Sequence, residues 1–311
     1  MKVFVTGVGG QLGHDVMNAL AKRGHAGVGS DLAPAYSGTQ DGSAACGMPY
    51  VPVDITDAES VSRALNDIRP DAVIHCAAWT AVDAAEDEAN RPKVRAVNTE
   101  GTRHIALACR ALGCKLMYIS TDYVFSGQGT APWQPDCADY ALLNVYGESK
   151  LGGELAVRAL VEKFFIVRIA WVFGLNGNNF VRTMLKLGQT HDALRVVNDQ
   201  IGTPTYTLDL ARLLVDMIET EKYGCYHATN EGGFISWADF AAEIFRQAGQ
   251  AVKVIPVSTA EYGFSRAARP FNSRLDKGKL VESGFEPLPD WRDAVGRYLD
   301  ELARQPKGNS L

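Results

Sequence analysis

The chain has 311 residues, of which 46% are hydrophobic and 22% charged, and its formal net charge is -5. Those are the proportions of a folded globular protein, and the acidic balance provides neither a basic footprint for nucleic acid nor a polybasic run for a membrane surface. The longest apolar run, residues 164–173, is broken by Arg168 and too short to cross a bilayer, so the length corresponds to one large or two modest domains in water.

Met1 leads into a short apolar strand, Lys2 to Thr6, with no signal segment expected ahead of it. The strand runs into Gly7-Val8-Gly9-Gly10-Gln11-Leu12-Gly13, and an amphipathic helix follows over residues 14–23, with Val16, Met17 and Leu20 on one side. Glycines between a strand and a helix are the context of a dinucleotide-binding turn. Gly7 permits the tight turn, Gly10 lets the pyrophosphate approach the backbone, and Gly13 allows close helix–strand packing. The helix N-terminus adds free N–H groups and partial positive charge.

Asp31 lies at the end of the next strand, eighteen residues after Gly13, close to the ~20 expected of a carboxylate that holds the adenosine ribose hydroxyls. A helix-cap or loop aspartate is the alternative. No Arg or Lys follows before Arg63, which favours NADH and leaves NADPH as the second choice. Residues 32–49 read as a loop. Tyr50 to Asp54 is expected to be a strand, and Thr56 with Glu59 a capping box opening a helix.

Residues 72–78 form a buried-type strand that ends in the small residues Cys76, Ala77 and Ala78. His75 reads as a packed strand residue, and Cys76 as a backbone contributor. Thr102 to Leu112 is helical, and the strand Leu116 to Ser120 delivers Thr121 at its carboxyl end. The six cysteines (Cys46, Cys76, Cys109, Cys114, Cys137, Cys225) show no metal-binding spacing. They fit small apolar side chains in a reducing cytoplasm, and no metal is expected.

Tyr146 and Lys150 stand four residues apart at the opening of a helix, so phenol and ammonium share one face. The positive charge is expected to favour the phenolate. Ser120-Thr121-Asp122 offers hydroxyls for the same substrate oxygen. Beyond a strand ending at Ala170, the helices expected are Phe180 to Gly188, Thr207 to Glu219, Ser236 to Ala248 and Trp291 to Leu302, and the tail after Arg304 is expected to fray. Alternating strands and helices give an α/β fold, a Rossmann-type doubly wound parallel sheet with a smaller α/β substrate domain. Residues 1–174 with about 206–228 are assigned to the first domain, and about 175–205 with 229–311 to the second.

The glycine spacing, Ser120-Thr121-Asp122 and Tyr146-x-x-x-Lys150 together resemble the extended short-chain dehydrogenase/reductase superfamily. Gly10-Gln11-Leu12-Gly13, Ala81-Val82-Asp83, residues 120–125, residues 143–147, residues 197–205 and Arg269-Pro270-x-Asn272-Ser273 resemble the dTDP-4-dehydrorhamnose reductase family within it. The resemblance implies reduction of the C4 ketone of dTDP-4-dehydro-6-deoxy-L-mannose, with Tyr146, Lys150 and Thr121 catalytic. It implies a cofactor along Gly7, Gly10, Gln11, Leu12 and Gly13, at Asp31, at Asp54 and Ile55 by the adenine, and at Cys76, Ala77, Ala78, Tyr146 and Lys150. It places the sugar against Thr121, Asp122 and Trp171, with Arg266, Arg269 and Asn272 as candidates for the nucleotide diphosphate.

Two features depart from the family. Residues 32–49 are long, and Arg168-Ile169-Ala170-Trp171-Val172-Phe173-Gly174 stands where Arg-Thr-Ser-Trp-Val-Tyr-Gly is usual. A dehydratase would follow Thr-Asp with Glu, whereas Tyr123 stands here. An epimerase needs a further acid–base pair, and a non-catalytic cofactor-binding subunit would dispense with Tyr146 or Lys150. The partner expected is a dTDP-sugar, without nucleic acid or membrane. A homodimer is compatible with the sequence.

Overall fold

The computed structural model describes residues 1–263 and 265–305. Of the tail expected to fray, residues 306–311 lie outside the described residues. Six strands form one parallel sheet: β1 (Lys2–Thr6), β2 (Ala26–Ser30), β3 (Ala72–His75), β4 (Lys115–Thr121), β5 (Phe164–Ile169) and β6 (Gly224–His227). Their spatial order is β6-β5-β4-β3-β1-β2. Successive strand residues point to opposite faces. Val3, Val5 and Ile74 therefore join one apolar cluster, while Phe4 and Val73 join another.

Helices cover both faces, as a parallel sheet requires. α1 (Gln11–Lys22) packs on the first face, and α2 (Ala58–Ile68), α3 (Thr102–Leu112) and α4 (Val145–Leu160) on the second. After α5 (Phe180–Leu187), α6 (Thr207–Ile218) returns to the first face through Leu210, Leu214 and Met217. α5 instead shares a third cluster with α7 (Trp237–Ala248) and α8 (Trp291–Arg304), built on Phe173, Phe240, Trp291 and Tyr298. Ala193–Val197 and Lys253–Val257 pair in parallel beside it.

Several expectations change. Residues 50–54 run extended beside β2, through Val51 N to Gly29 O (2.9 Å) and Val53 N to Asp31 O (3.0 Å), but form no named strand. Pro52, which lacks an N–H, falls between these bonds at a position that faces away from β2. The cap of α2 is Asp57, whose carboxylate accepts from Glu59 N and Ser60 N, instead of a Thr56–Glu59 box. Thr56 serves Asp54, giving its hydroxyl and N–H to that carboxylate. Residues 32–49 contain a short helix, Ala44–Gly47, with Ala45 buried in the core.

Sheet order reverses between β1 and β3, since the chain goes outward to β2 on one side and to β4 and β5 on the other. Ligands of open parallel sheets sit at such a switch point, beyond the strands' carboxyl ends. Gly7, Asp31, Cys76, Thr121 and Trp171 all lie at those ends.

Candidate active site

A cleft of about 860 Å3 opens there, lined by residues from every one of those ends. Gly7 has φ of 73°, a conformation that glycine adopts at no steric cost. A Cβ at Gly7 would lie 2.6 Å from Ala77 N, and one at Gly13 would lie 2.3 Å from Gly7 O. The turn is therefore a cradle with no room for side chains. Gly10 is the N-cap of α1 and offers no side-chain cap, so the first N–H groups of the helix stay available to an anion.

At the cleft's other wall, Asn144 caps α4 by accepting from Gly147 N at 2.8 Å. Its amide also donates to Ala268 O at 2.8 Å. Gly147 has no space for a Cβ, which would meet Tyr123 O at 2.3 Å. A glycine inside a helix costs about 1 kcal/mol, and here it lets the helix bring Tyr146 against the end of β4. Tyr146, half-buried, meets Tyr123 edge to face with ring centres 5.6 Å apart.

Thr121, Asp122, Tyr146 and Lys150 all line this cleft. Burial raises the Tyr146 phenol well above its ordinary pKa, and the Asp122 charge adds to this, against the nearby Thr121 hydroxyl. The sequence-based expectation that Lys150 lowers it is not met. The Lys150 ammonium donates to Ile119 O at 2.7 Å and lies 4.2 Å from the centre of the Tyr118 ring. Its own pKa is pulled down by burial to about 7, against the Glu154 carboxylate. Tyr146 is therefore held as the neutral phenol, the form that gives a proton.

Asp122 is buried, and its Oδ1 accepts from the Thr121 hydroxyl at 3.0 Å. Its Oδ2 has no hydrogen-bond partner in the structure. Burial raises its pKa to about 6, against the nearby Ser273 and Thr121 hydroxyls. Trp171 has φ of 51°, a costly conformation for a bulky residue and one that concentrates at functional sites. It stacks on Trp237 at 3.7 Å and lines the cleft.

The other expected cofactor residues divide by function. Gln11, Leu12, Ile55, Ala77 and Ala78 line the cleft. Asp31 accepts from Gly9 N at 2.9 Å and from Leu32 N at 2.8 Å, so its carboxylate is fixed at the turn. Burial raises the Cys76 thiol to about 12, which leaves it no nucleophile. His75 is a packed residue, with Thr6 and Thr102 hydroxyls 2.7 and 3.1 Å from its ring nitrogens. Arg266, Arg269 and Asn272 do not line the cleft. Arg269 and Arg266 pair with Asp83 and Asp87, both at 2.6 Å. Asn272 is buried, its amide on Gln128 O and Ala131 O. Of the altered strand, Ile169 and Ala170 face the cleft, while Phe173 stacks on Tyr206 in the core.

Sequence reasoning missed Asn98. It sits in a π-turn, Ala96–Gly101, a geometry frequent at functional sites. Its amide clasps Trp79 N and O at 2.8 and 3.1 Å and the Ser149 hydroxyl at 2.9 Å, tying the cleft wall to the helix of Tyr146. Trp79, Lys93 and Asn176 also line the cleft unannounced.

Known proteins share this arrangement over nearly the whole chain. The family model described as RmlD substrate binding domain matches residues 1–304. A dTDP-4-dehydrorhamnose reductase from Streptomyces griseus is 40% identical, covering 96% of this chain and 93% of the relative. Among solved structures, a dTDP-4-dehydrorhamnose reductase from Clostridium acetobutylicum has a TM-score of 0.87 and 38% identity, over 97% of this chain and 100% of the other. One from Bacillus anthracis, solved in complex with NADP, gives 0.83 and 38%, over 96% and 99%. With sheet order, glycine cradle and full-length similarity in agreement, the chain belongs to the RmlD substrate binding domain family.

Proposed function

We propose that the protein is a dTDP-4-dehydrorhamnose reductase, reducing the C4 ketone of dTDP-4-dehydro-6-deoxy-L-mannose to dTDP-L-rhamnose at the expense of NADH, with NADPH as the poorer donor. The observation that carries this reading is that one cleft is lined by the glycine turn, Thr121, Tyr146 and Lys150 together, in a chain whose full length matches reductases. Bound dihydronicotinamide supplies the hydride to the ketone carbon. Gly7, Gly10, Gln11, Leu12 and Gly13 would hold the dinucleotide's diphosphate, Asp31 its adenosine ribose, Asp54 and Ile55 its adenine, and Cys76, Ala77 and Ala78 its nicotinamide side.

Tyr146 gives its proton to the ketone oxygen as negative charge develops there. Thr121 would turn its single hydroxyl proton from Asp122 Oδ1 to that oxygen and orient it. Lys150, which donates to Ile119 O at 2.7 Å, would also hold a hydroxyl of the nicotinamide ribose. Asp122 would accept from a sugar hydroxyl only once its enclosed Oδ2 is uncovered, and Trp171 would wall the apolar side of the sugar. Residues 1–174 with about 206–228 would form the cofactor domain, which also carries Thr121, Asp122 and Trp171, and the remainder would complete the nucleotide-sugar site. NADH is favoured because the cations lining the cleft among the described residues are Lys93 and Lys150. Lys93 lies over Trp79 and Lys150 beside Tyr118, away from the Asp31 end.

The test is oxidation of each reduced cofactor, followed by its near-ultraviolet absorbance, with and without the ketosugar. Turnover that requires the sugar and is faster with NADH supports the reading. Cofactor binding without turnover would instead indicate a non-catalytic subunit.

Asp122 yields a separate prediction. Its pKa rises from an ordinary value of about 3.9 to about 6 in the folded chain. Its stabilising contribution is thus complete below about pH 4 and lost as pH rises to 6. Asp122→Asn is expected to raise the melting temperature above pH 7, where the buried charge is removed, and to raise KM for the sugar several-fold. A lowered melting temperature at that pH would contradict this account of the carboxylate.

A further inference from the structure

Asn176 uses all of its amide's hydrogen-bonding capacity to join two segments distant in sequence. Its Oδ1 accepts from Thr39 N and from the Thr39 hydroxyl, both at 3.0 Å. Its Nδ2 donates to Gly9 O at 2.9 Å and to Gly10 O at 3.3 Å. The residue is buried and lines the cleft. Thr39 belongs to the long segment after β2, which is fastened to α1 at three further points. Ala45 N donates to Asn18 Oδ1 at 2.8 Å, Asp41 pairs with His14 at 3.2 Å, and the Tyr36 hydroxyl bonds His14. Gly38 makes the close approach possible, since a Cβ there would lie 2.7 Å from Asn176 Nδ2.

Gly9 and Gly10 are the turn residues whose peptide groups a diphosphate must approach. In a trans peptide the N–H points opposite the carbonyl, so a donor fixing Gly10 O also fixes the Gln11 N–H at the mouth of α1. A carbonyl left without a donor at this turn would present negative charge to a phosphate. Gly10 O keeps the His14 N–H of α1 at 3.2 Å in any variant, but alanine at position 176 would leave Gly9 O without its side-chain donor, and aspartate would repel both carbonyls.

We propose that residues 36–46, acting through Thr39 and Asn176, form a clamp that sets the affinity of the glycine turn for the dinucleotide. Asn176 is its positioning residue. The proposal rests on the reading that this cleft binds a dinucleotide. It assigns a function to the segment between β2 and Tyr50.

The experiment is titration of the full-length protein with NADH, and separately with NADPH, without sugar, read by quenching of tryptophan fluorescence. Asn176→Asp and Asn176→Ala are expected to raise Kd for NADH about tenfold or more, the usual consequence of unsatisfied carbonyls. Thr39→Val, at a half-buried position, should raise it about threefold, and Thr39→Ser should keep it near wild type. In steady state, Thr39→Val should raise KM for NADH and leave kcat and KM for the sugar unaltered. Unchanged Kd in both Thr39→Val and Asn176→Ala would overturn the clamp, as would a fall in kcat at saturating NADH matching the rise in Kd. A wild-type protein that quenches with neither cofactor would overturn the dinucleotide reading itself.

Discussion

Tyr146→Phe is expected to lower kcat by about a hundred- to ten-thousandfold, the range for loss of a positioned general acid. The ring would stay packed edge to face against Tyr123, so the helix and the cleft wall should persist. Only the hydroxyl goes. Thr121 remains as a hydrogen-bond donor, but its hydroxyl is held by Asp122 and is far too weak an acid to replace a phenol. Burial keeps Tyr146 protonated, so wild-type activity should not need deprotonation of this residue at neutral pH. Affinity for NADH should stay within about twofold, because the diphosphate and adenosine contacts lie elsewhere. A variant with kcat within about threefold of wild type would refute Tyr146 as the proton donor.

The second large effect concerns stability. Arg168 and Glu154 are both fully buried. The guanidinium donates to the carboxylate in a bidentate fork, at 2.8 and 2.7 Å, and the Ser120 hydroxyl adds a bond at 2.6 Å. Arg168 also donates to Pro135 O and to the Tyr140 hydroxyl, and lies over Phe125. Glu154→Ala would leave that cation buried and unpaired, which costs about 3–5 kcal/mol. Glu154→Ala combined with Arg168→Met should cost distinctly less, since no charge is then stranded. Urea denaturation of both variants measures this. A single variant losing under about 1 kcal/mol would show that the pair is not what holds β5 to α4.

The parts of the site that the sequence reveals are those with short-range causes. Gly7 is dictated by its positive φ, and Gly13 by contacts with Gly7 and Val8 within one strand–turn–helix unit. The helix of Tyr146 follows from its Asn144 cap and the spacing to Lys150. What was illegible depends on distant partners. The Tyr50–Asp54 run has strand-like residues, and its bonds to β2 alternate regularly through Val51 and Val53, yet they are too few to make a strand. The segment after β2 looks like an unstructured loop because its anchors, His14, Asn18 and Asn176, are read only in three dimensions. β6 was not foreseen; its pairing with β5 alone fixes it at the sheet edge. Helical spacing correctly placed Lys150 on the face of Tyr146, yet its ammonium turns to Ile119 O. The register of the π-turn that aims Asn98 leaves no compositional trace.

The central claim is that this cleft delivers a hydride to a sugar ketone while Tyr146 supplies the proton. The most direct measurement uses NADH fully deuterated at nicotinamide C4, with the product sugar examined by mass spectrometry and NMR. The account predicts one deuterium per sugar, on carbon 4, and almost none with Tyr146→Phe in the same time. Unlabelled product, or label on any other carbon, would contradict it.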